Sequence, residues 1–374
     1  MRSTSQGKRS LRTLPFSLYE WGRGLIVLDA RNARLGGGLT FLAQLVPPLA
    51  RAVEARGERL EVLAGPAPTR ASRLRRRVAL TQAQAILHAG NRATISPSAR
   101  QVVCVRDRLR LPLETEPPAL SLRERARRGL LLHALRVADE IVVPSASMLK
   151  PVREMQRSHA FLKEKPLHVI HHGRPPWPTP APRAFGEEVR FFYPAHAGWH
   201  KNFPLLAALL ERLSSTERSR LRLTLTALPT QQIGERNLGE MFSPVLDLVD
   251  FIGPVENSLL HGLYDQHDVL IFPSLVESFG LPLLEAMTMG MPVIASDLEW
   301  ARELCGEGAT LIDPAVLDDW LEAVKEVIES GRRENPKGVE QVLHFDWNDS
   351  AELYANLLVG KKTGTPTPSV SGER

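Results

Sequence analysis

Short apolar runs alternate with longer amphipathic ones along this chain, and the alternation occurs twice. GLIVLDA (24–30) reads as a buried strand, and from Leu39 to about Ala55 apolar residues recur at helical spacing. RLEVLAG (59–65), QAILHAG (84–90), QVVCVRD (101–107), EIVVPS (140–145) and LHVIHHG (167–173) are further strand candidates, with helical patterns at 121–137 and 146–157. The segment 174–188 then breaks the pattern. Pro175, Pro176, Pro178, Pro180 and Pro182 exclude a helix or a central strand there, so it reads as a linker. Beyond it, VRFFYPA (189–195), LRLTLTAL (221–228), LDLVDFIG (246–253), DVLIFPS (268–274), PVIASD (292–297) and ATLID (309–313) are strand candidates, and 201–213, 256–266, 282–290 and 315–330 are helical.

Strands that alternate with helices predict parallel sheets with right-handed crossovers. Two such series predict an α/β protein of two doubly wound, Rossmann-like domains, 23–173 and 189–344, facing a central cleft. Ligands are expected at the carboxyl ends of the strands. The basic stretch 1–22 reads as an extension. The tail 361–374, rich in Pro, Gly, Ser and Thr, has the composition of disorder.

Composition narrows the compartment and the partners. With 374 residues, 43% hydrophobic and 24% charged, the chain is long enough for two cores and suits a soluble protein. No stretch approaches the ~18 apolar residues of a membrane span, and no secretory apolar core follows the basic start. The expected location is cytoplasmic. Cys104 and Cys305 stand alone, without disulfide-framework or zinc spacing. The net charge of +5 suits phosphate-bearing ligands, an anionic membrane face or nucleic acid. Arg70, Arg73, Arg75, Arg76 and Arg77 form the densest basic cluster. It reads as a solvated face, or as a patch for peripheral attachment to the inner membrane face, at roughly 1 kcal/mol per basic residue near anionic lipid. No nucleic-acid-binding module accompanies the charge, and no such partner is expected.

The chemistry concentrates in DVLIFPSLVESFGLPLLEAMTMGMPVIASD (268–297). A buried strand ends near Ser274, a loop carries Glu277, and a helix starts at Pro282, a residue favoured in a first turn. Glu285 falls on that first turn, and Gly290 with Pro292 stops the helix. Free N–H groups and the positive dipole end at the helix start favour an anion such as a diphosphate. Gly280 lets backbone approach it closely. Carboxylates there accept sugar hydroxyls better than they meet phosphate, which suggests Glu277 for a transferred sugar and Glu285 for ribose.

The two glutamates inside ESFGLPLLEAMTMGMPVIASD resemble the signature of the family-4 retaining glycosyltransferases of the GT-B fold. GGGLT, ADEIVVPSASMLK (138–150), LHVIHHG, FIGPVENSLLHGLYDQHDVLIFPS (251–274) and ELCGEGATLIDP (303–314) are similar to that family as well. FDWNDSAELY (345–354) resembles its closing helix, assigned to 345–360, which returns to the first domain. The resemblance implies a nucleotide-diphosphate sugar donor held by Glu277, Ser278, Phe279, Gly280, Leu281 and Glu285. Backbone around Gly253 and Pro254 is expected to hold the base.

In YPAHAGWHKNF (193–203), Lys201 matches the family's phosphate-binding lysine, and His196 stands where an arginine is expected. Lys201 is read as opening a helix. It is one of only nine lysines among 47 basic residues, which sharpens the signal. His196 supplies charge only when protonated; otherwise it only hydrogen-bonds, and an arginine from elsewhere is the second cation. No Asp-x-Asp element is present, so protein cations are expected to replace a metal, and no cofactor is expected.

On the acceptor side Gly36, Gly37 and Gly38 resemble the family's N-terminal glycine loop. Arg106 stands where relatives carry histidine, which hints at an anionic acceptor, and Asp107 either orients an acceptor hydroxyl or caps the next turn. His88 and Asn91 are comparable strand-end candidates. His171 and His172 are expected on opposite faces of a strand, near the hinge. The resemblance implies transfer of a hexose, mannose or glucose by family frequency, to a saccharide, glycolipid or small hydroxyl acceptor. The rivals are a non-catalytic protein of the same fold and an epimerase or phosphorylase of the same architecture.

Overall fold

The computed structural model describes residues 24–31, 37–65, 69–90, 93–113 and 122–360. The extension 1–22, Gly36, Asn91 and the tail 361–374 lie outside the described residues.

Two six-stranded parallel sheets organise the molecule. From edge to edge the first runs Arg59–Ala64, Leu25–Ala30, Ala83–His88, Arg100–Cys104, Glu140–Val143, Leu167–Val169. The second runs Val249–Phe251, Leu221–Leu225, Val189–Tyr193, Val269–Phe272, Val293–Ser296, Thr310–Ile312. In chain order within each domain these are 2-1-3-4-5-6 and 3-2-1-4-5-6. Both are doubly wound orders, in which helices cover both faces and the crevice opens where the strand order reverses. That is why the central strands, such as the fully buried Leu25–Ala30, are continuous apolar runs rather than alternating ones. The reversal falls between Leu25–Ala30 and Ala83–His88 in the first sheet. In the second it falls between Val189–Tyr193 and Val269–Phe272.

Helices Gly37–Glu54 and Trp347–Val359 cover one face of the first sheet; Arg70–Gln82, Leu122–Val137 and Leu149–Ser158 cover the other. The C-terminal helix therefore crosses back from the second domain. It buries Trp347, Tyr354 and Leu358 in a cluster with Phe41, Leu45 and Leu49, each side chain stabilising the docking by roughly 1.5–3 kcal/mol. The two chain crossings run side by side: Arg174 N–H donates to the Phe345 carbonyl at 2.9 Å. Gly173 lies so close that a Cβ there would sit 2.3 Å from the Trp347 backbone nitrogen.

Several elements differ from the sequence expectation. The strand before the linker ends at Val169, so the opposite-face argument for His171 and His172 fails, and both rings pack near Phe279, at 6.2 and 4.8 Å. Residues 243–248 form a 3₁₀ stretch and only 249–251 pair as a strand. The basic cluster lies on a helix, Arg70–Gln82, whose N-terminus Thr69 caps by accepting from Ser72 N–H. Lys201 ends a 3₁₀ turn, Trp199–Lys201, and the α-helix begins only at Phe203. Asn202 between them takes a left-handed φ of 51°, which breaks the helical run. No helix among the described residues is long and apolar enough to cross a membrane.

Candidate active site at the cleft

The two loops that leave the reversal point of the second sheet are tied together before any ligand is considered. Strand Val189–Tyr193 ends in Tyr193, whose buried hydroxyl donates to the Lys201 carbonyl at 2.9 Å. Leu275 N–H, just beyond the neighbouring strand, donates to the His200 carbonyl at 2.7 Å. These bonds fix the Lys201 turn against the loop that carries Glu277. The Lys201 ammonium then donates to the Glu277 carboxylate, which also accepts from the Ser274 hydroxyl at 2.7 Å. Lys201 is 7% exposed, so the pair sits in a low-dielectric pocket where its field is strong. Burial pushes the Glu277 carboxyl upwards, but the Lys201 ammonium, the Ser274 hydroxyl and His200 outweigh it and hold Glu277 below its ordinary value. Glu277 is an anionic hydrogen-bond acceptor at neutral pH.

The helix that follows spans Leu281–Thr288, with Pro282 in its first turn and Gly280 before it at φ +102°. Only glycine adopts that conformation without strain. In the helix's first turn Pro282 has no N–H and Leu283 N–H donates to the Gly280 carbonyl at 2.9 Å, so helix geometry leaves the Leu281 N–H without an intrahelical partner. Glu285 is the fifth residue of this helix rather than part of the first turn, and it is buried at 5% exposure. Its Oε2 accepts from the Tyr264 hydroxyl at 2.7 Å, and burial pushes its pKa to about 7. The Tyr264 partner gave no signal in the sequence, because a tyrosine in an amphipathic helix reads as core.

His196 and His200 line the same turn, their rings 5.8 Å apart. Burial and then the Lys201 ammonium lower the pKa of His196, with Glu277 and Asp107 only partly compensating. The same leading causes bring His200 to about 4. Both imidazoles are neutral at pH 7, so His196 supplies a hydrogen-bonding group and not the missing cation. Gly253 is positive in φ at +72° beyond strand Val249–Phe251, and Pro254 next to it is exposed.

Two residues of the Glu277 loop make contacts beyond this pocket. The Ser278 carbonyl accepts from Ser145 Oγ of the first domain at 2.8 Å. The Phe279 ring, 2% exposed, packs on His172 and Phe345 at 4.8 and 6.1 Å. Both were expected at the donor; what these contacts add is a tie between the Glu277 loop and the first domain, through the Ser278 carbonyl and through Phe279 on His172. Leu281 meets that domain too: a Cβ on Gly37 would lie 3.6 Å from its Cδ1. Gly37 and Gly38 open the helix Gly37–Glu54 on this side of the cleft.

The first-domain wall corrects two further expectations and narrows a third. His88 is fully buried, with Nε2 bonded to Gln101 Oε1 at 3.0 Å, and so cannot line the cleft. Arg106 turns inward, 4.1 Å over the Phe41 ring and bonded to the Ala89 carbonyl, which leaves no guanidinium projecting toward an acceptor. Asp107 makes no cap bond and pairs with Arg110 at 2.6 Å. A network that the sequence reading missed lies at the reversal point of the first sheet. Asp29 there accepts two bonds from the Arg31 guanidinium, at 2.7 and 2.6 Å, and Arg31 also donates to Thr94. The only signal was an aspartate inside an apolar strand run.

Residues 180–339, the stretch that holds Lys201, Glu277 and Glu285, match the sequence model of a family described as glycosyl transferases group 1. That stretch is similar to a group 1 glycosyltransferase domain. The chain is 29% identical over 120 residues to the O-antigen chain mannosyltransferase RfbU of Salmonella typhimurium, covering 31% of this chain and 33% of that protein. It is 27% identical over 242 residues to a glycogen synthase of Mycobacterium tuberculosis, covering 63% of this chain and 57% of that one. The chain thus spans from a third to somewhat over half the length of these curated relatives. Among solved structures, sucrose-phosphate synthase from Thermosynechococcus elongatus superposes with a TM-score of 0.61 at 17% identity, covering 91% of this chain and all 100% of that one. WaaG, a glycosyltransferase involved in lipopolysaccharide biosynthesis, gives a TM-score of 0.61 at 14% identity, covering 90% and 100%. At such identities the likeness establishes the fold, which is GT-B.

Proposed function

We propose that this protein is a retaining, metal-independent glycosyltransferase that moves a hexose from a nucleotide-diphosphate sugar to a saccharide, glycolipid or small hydroxyl acceptor. The observation that carries the reading is the buried Lys201–Glu277 pair at the reversal point of the second sheet, beside the Gly280-led helix start. An incoming donor brings a diphosphate for Lys201 and sugar hydroxyls for Glu277, and so satisfies both members of the pair at once. As the bond to the leaving diphosphate breaks, Lys201 and the N–H groups of Gly280 and Leu281 stabilise the charge that develops. Glu285 is assigned to the ribose, with Tyr264 fixing its carboxyl, and backbone around Gly253 and Pro254 to the base. The relatives named as mannosyltransferase and glycogen synthase support a hexose as the transferred sugar.

The test is incubation with UDP-, GDP- and ADP-hexoses in EDTA, with a glycan acceptor panel and the product anomer read by NMR. The proposal expects transfer that survives EDTA with the donor's anomeric configuration kept. Loss of activity rescued by Mg²⁺ or Mn²⁺, or an inverted product, would overturn it.

A cytoplasmic site of action at the inner membrane face fits the exterior of helix Arg70–Gln82. It has no acid in its first turn and carries Leu74, 64% exposed, among its arginines. Sedimentation with vesicles containing anionic lipid, and not with neutral ones, is the expected result. Equal sedimentation with both kinds, or with neither, would remove the membrane from this account.

A further inference from the structure

The Glu277 loop is pinned by the first domain, and the pin has two parts. One part acts directly. The Ser145 hydroxyl, with Ser145 fully buried at the end of strand Glu140–Val143, donates to the Ser278 carbonyl at 2.8 Å. Phe279 then packs against His172 of the first domain, at 4.8 Å. The other part holds Ser145 itself in place. Glu303, on helix Glu299–Cys305 of the second domain, accepts from Ala146 N–H at 2.6 Å and Ser147 N–H at 3.0 Å, and its Oε1 bonds His171 Nε2 at 2.9 Å. Burial pushes the Glu303 carboxyl upwards, but His171 and the two backbone donors outweigh it and keep it ionised. The bonds are therefore charge-assisted and worth about twice neutral ones.

We infer that Glu303 and Ser145 are positioning residues for the donor loop: Glu303 clamps the turn Ala146–Met148 across the cleft, and Ser145 at its start holds Ser278 so that Glu277 reaches Lys201. Residues 277 and 278 are adjacent, so a shift of the Ser278 carbonyl moves the Glu277 side chain directly. Among the described residues, Lys201 and Ser274 are the hydrogen-bond partners that hold the carboxylate within its own domain. The geometry of the sugar-binding carboxylate is thus set by a contact between domains and loosens when they part. This inference rests on the proposed donor role of Glu277 for its functional consequence, but not for its structural one.

The test uses the full chain with Ser145→Ala and Glu303→Ala, and follows amide hydrogen exchange together with binding of UDP, GDP and ADP and donor kinetics. Exchange of the amides of 275–282 should rise at least tenfold in both variants, while strands Val293–Ser296 and Val189–Tyr193 exchange as in the parent. The donor KM should rise three- to tenfold with kcat less affected. Ser145→Ala removes one hydroxyl, so it keeps the test usable if Glu303→Ala does not fold. Unchanged exchange over 275–282 in a folded Ser145→Ala variant would overturn the inference. If the parent binds none of the nucleotides, the proposed function fails while the exchange result still decides the positioning role.

Discussion

Lys201 and Glu277 come from loops 76 residues apart in the chain and meet as a buried ion pair above two adjacent strands of the second sheet. A buried pair of this kind adds little net stability, because desolvation offsets the Coulomb gain. Its value lies in what it presents to the cleft: one cation and one hydrogen-bond acceptor, held at fixed spacing by the Tyr193 and Ser274 hydroxyls.

Glu285 makes the stability of the protein fall with rising pH in a defined window. Burial raises its carboxyl from 4.5 to about 7, so between those values the folded protein holds a proton that the unfolded chain has released. Stability is therefore lost as pH rises through that window, by an amount on the order of 3 kcal/mol at most. Glu285→Gln cannot ionise, and its melting temperature should gain on the parent by several degrees more at pH 8 than at pH 5. Thermal scans at the two pH values check this; an equal difference at both would show that Glu285 titrates normally.

His196 should be improvable. Its imidazole is neutral at pH 7, for burial and Lys201 both depress it, so the proposed diphosphate site gains no cation from this position. His196→Arg should tighten nucleoside diphosphate binding by three- to tenfold and steepen its salt dependence, both read by calorimetry at two ionic strengths. Weaker binding by the arginine variant would mean that the imidazole makes a specific bond that the account omits.

Arg31 holds a buried carboxylate. Asp29 is 4% exposed, and although burial raises its pKa, Arg31 and His88 bring it well below the ordinary aspartate value. Its contribution is fully present above the unfolded pKa and is lost as pH falls through the folded one. Arg31→Ala leaves His88, at 3.4 Å, as the carboxylate's remaining partner and should cost about 2 kcal/mol, discounted because the arginine side chain is 31% exposed. Urea denaturation at pH 7 measures the loss. A change under about half a kcal/mol would show that Arg31 contributes little to holding Asp29.

What the sequence reveals and what it hides divide along physical lines. The doubly wound sheets are legible because buried parallel strands are apolar runs, and the Glu277 loop because strand, glycine, proline and helix follow in fixed order. The partners of polar groups are not legible. Nothing in the order of residues says that Tyr264 meets Glu285, that Ser145 holds Ser278, or that Arg106 folds onto Phe41, since each bond joins segments brought together only by packing. His88 misled for the same reason: a histidine at a strand end can face the cleft or the core, and Gln101 decides the matter here.

The most direct test of the central claim is release of nucleoside diphosphate from a nucleotide-hexose panel, compared between the parent, Lys201→Ala and Glu277→Gln. The account predicts that at least one donor is turned over by the parent and that each variant lowers kcat/KM by a factor of about 10²–10³, as expected for loss of a preorganised electrostatic group. Turnover by both variants at the parental rate would contradict it.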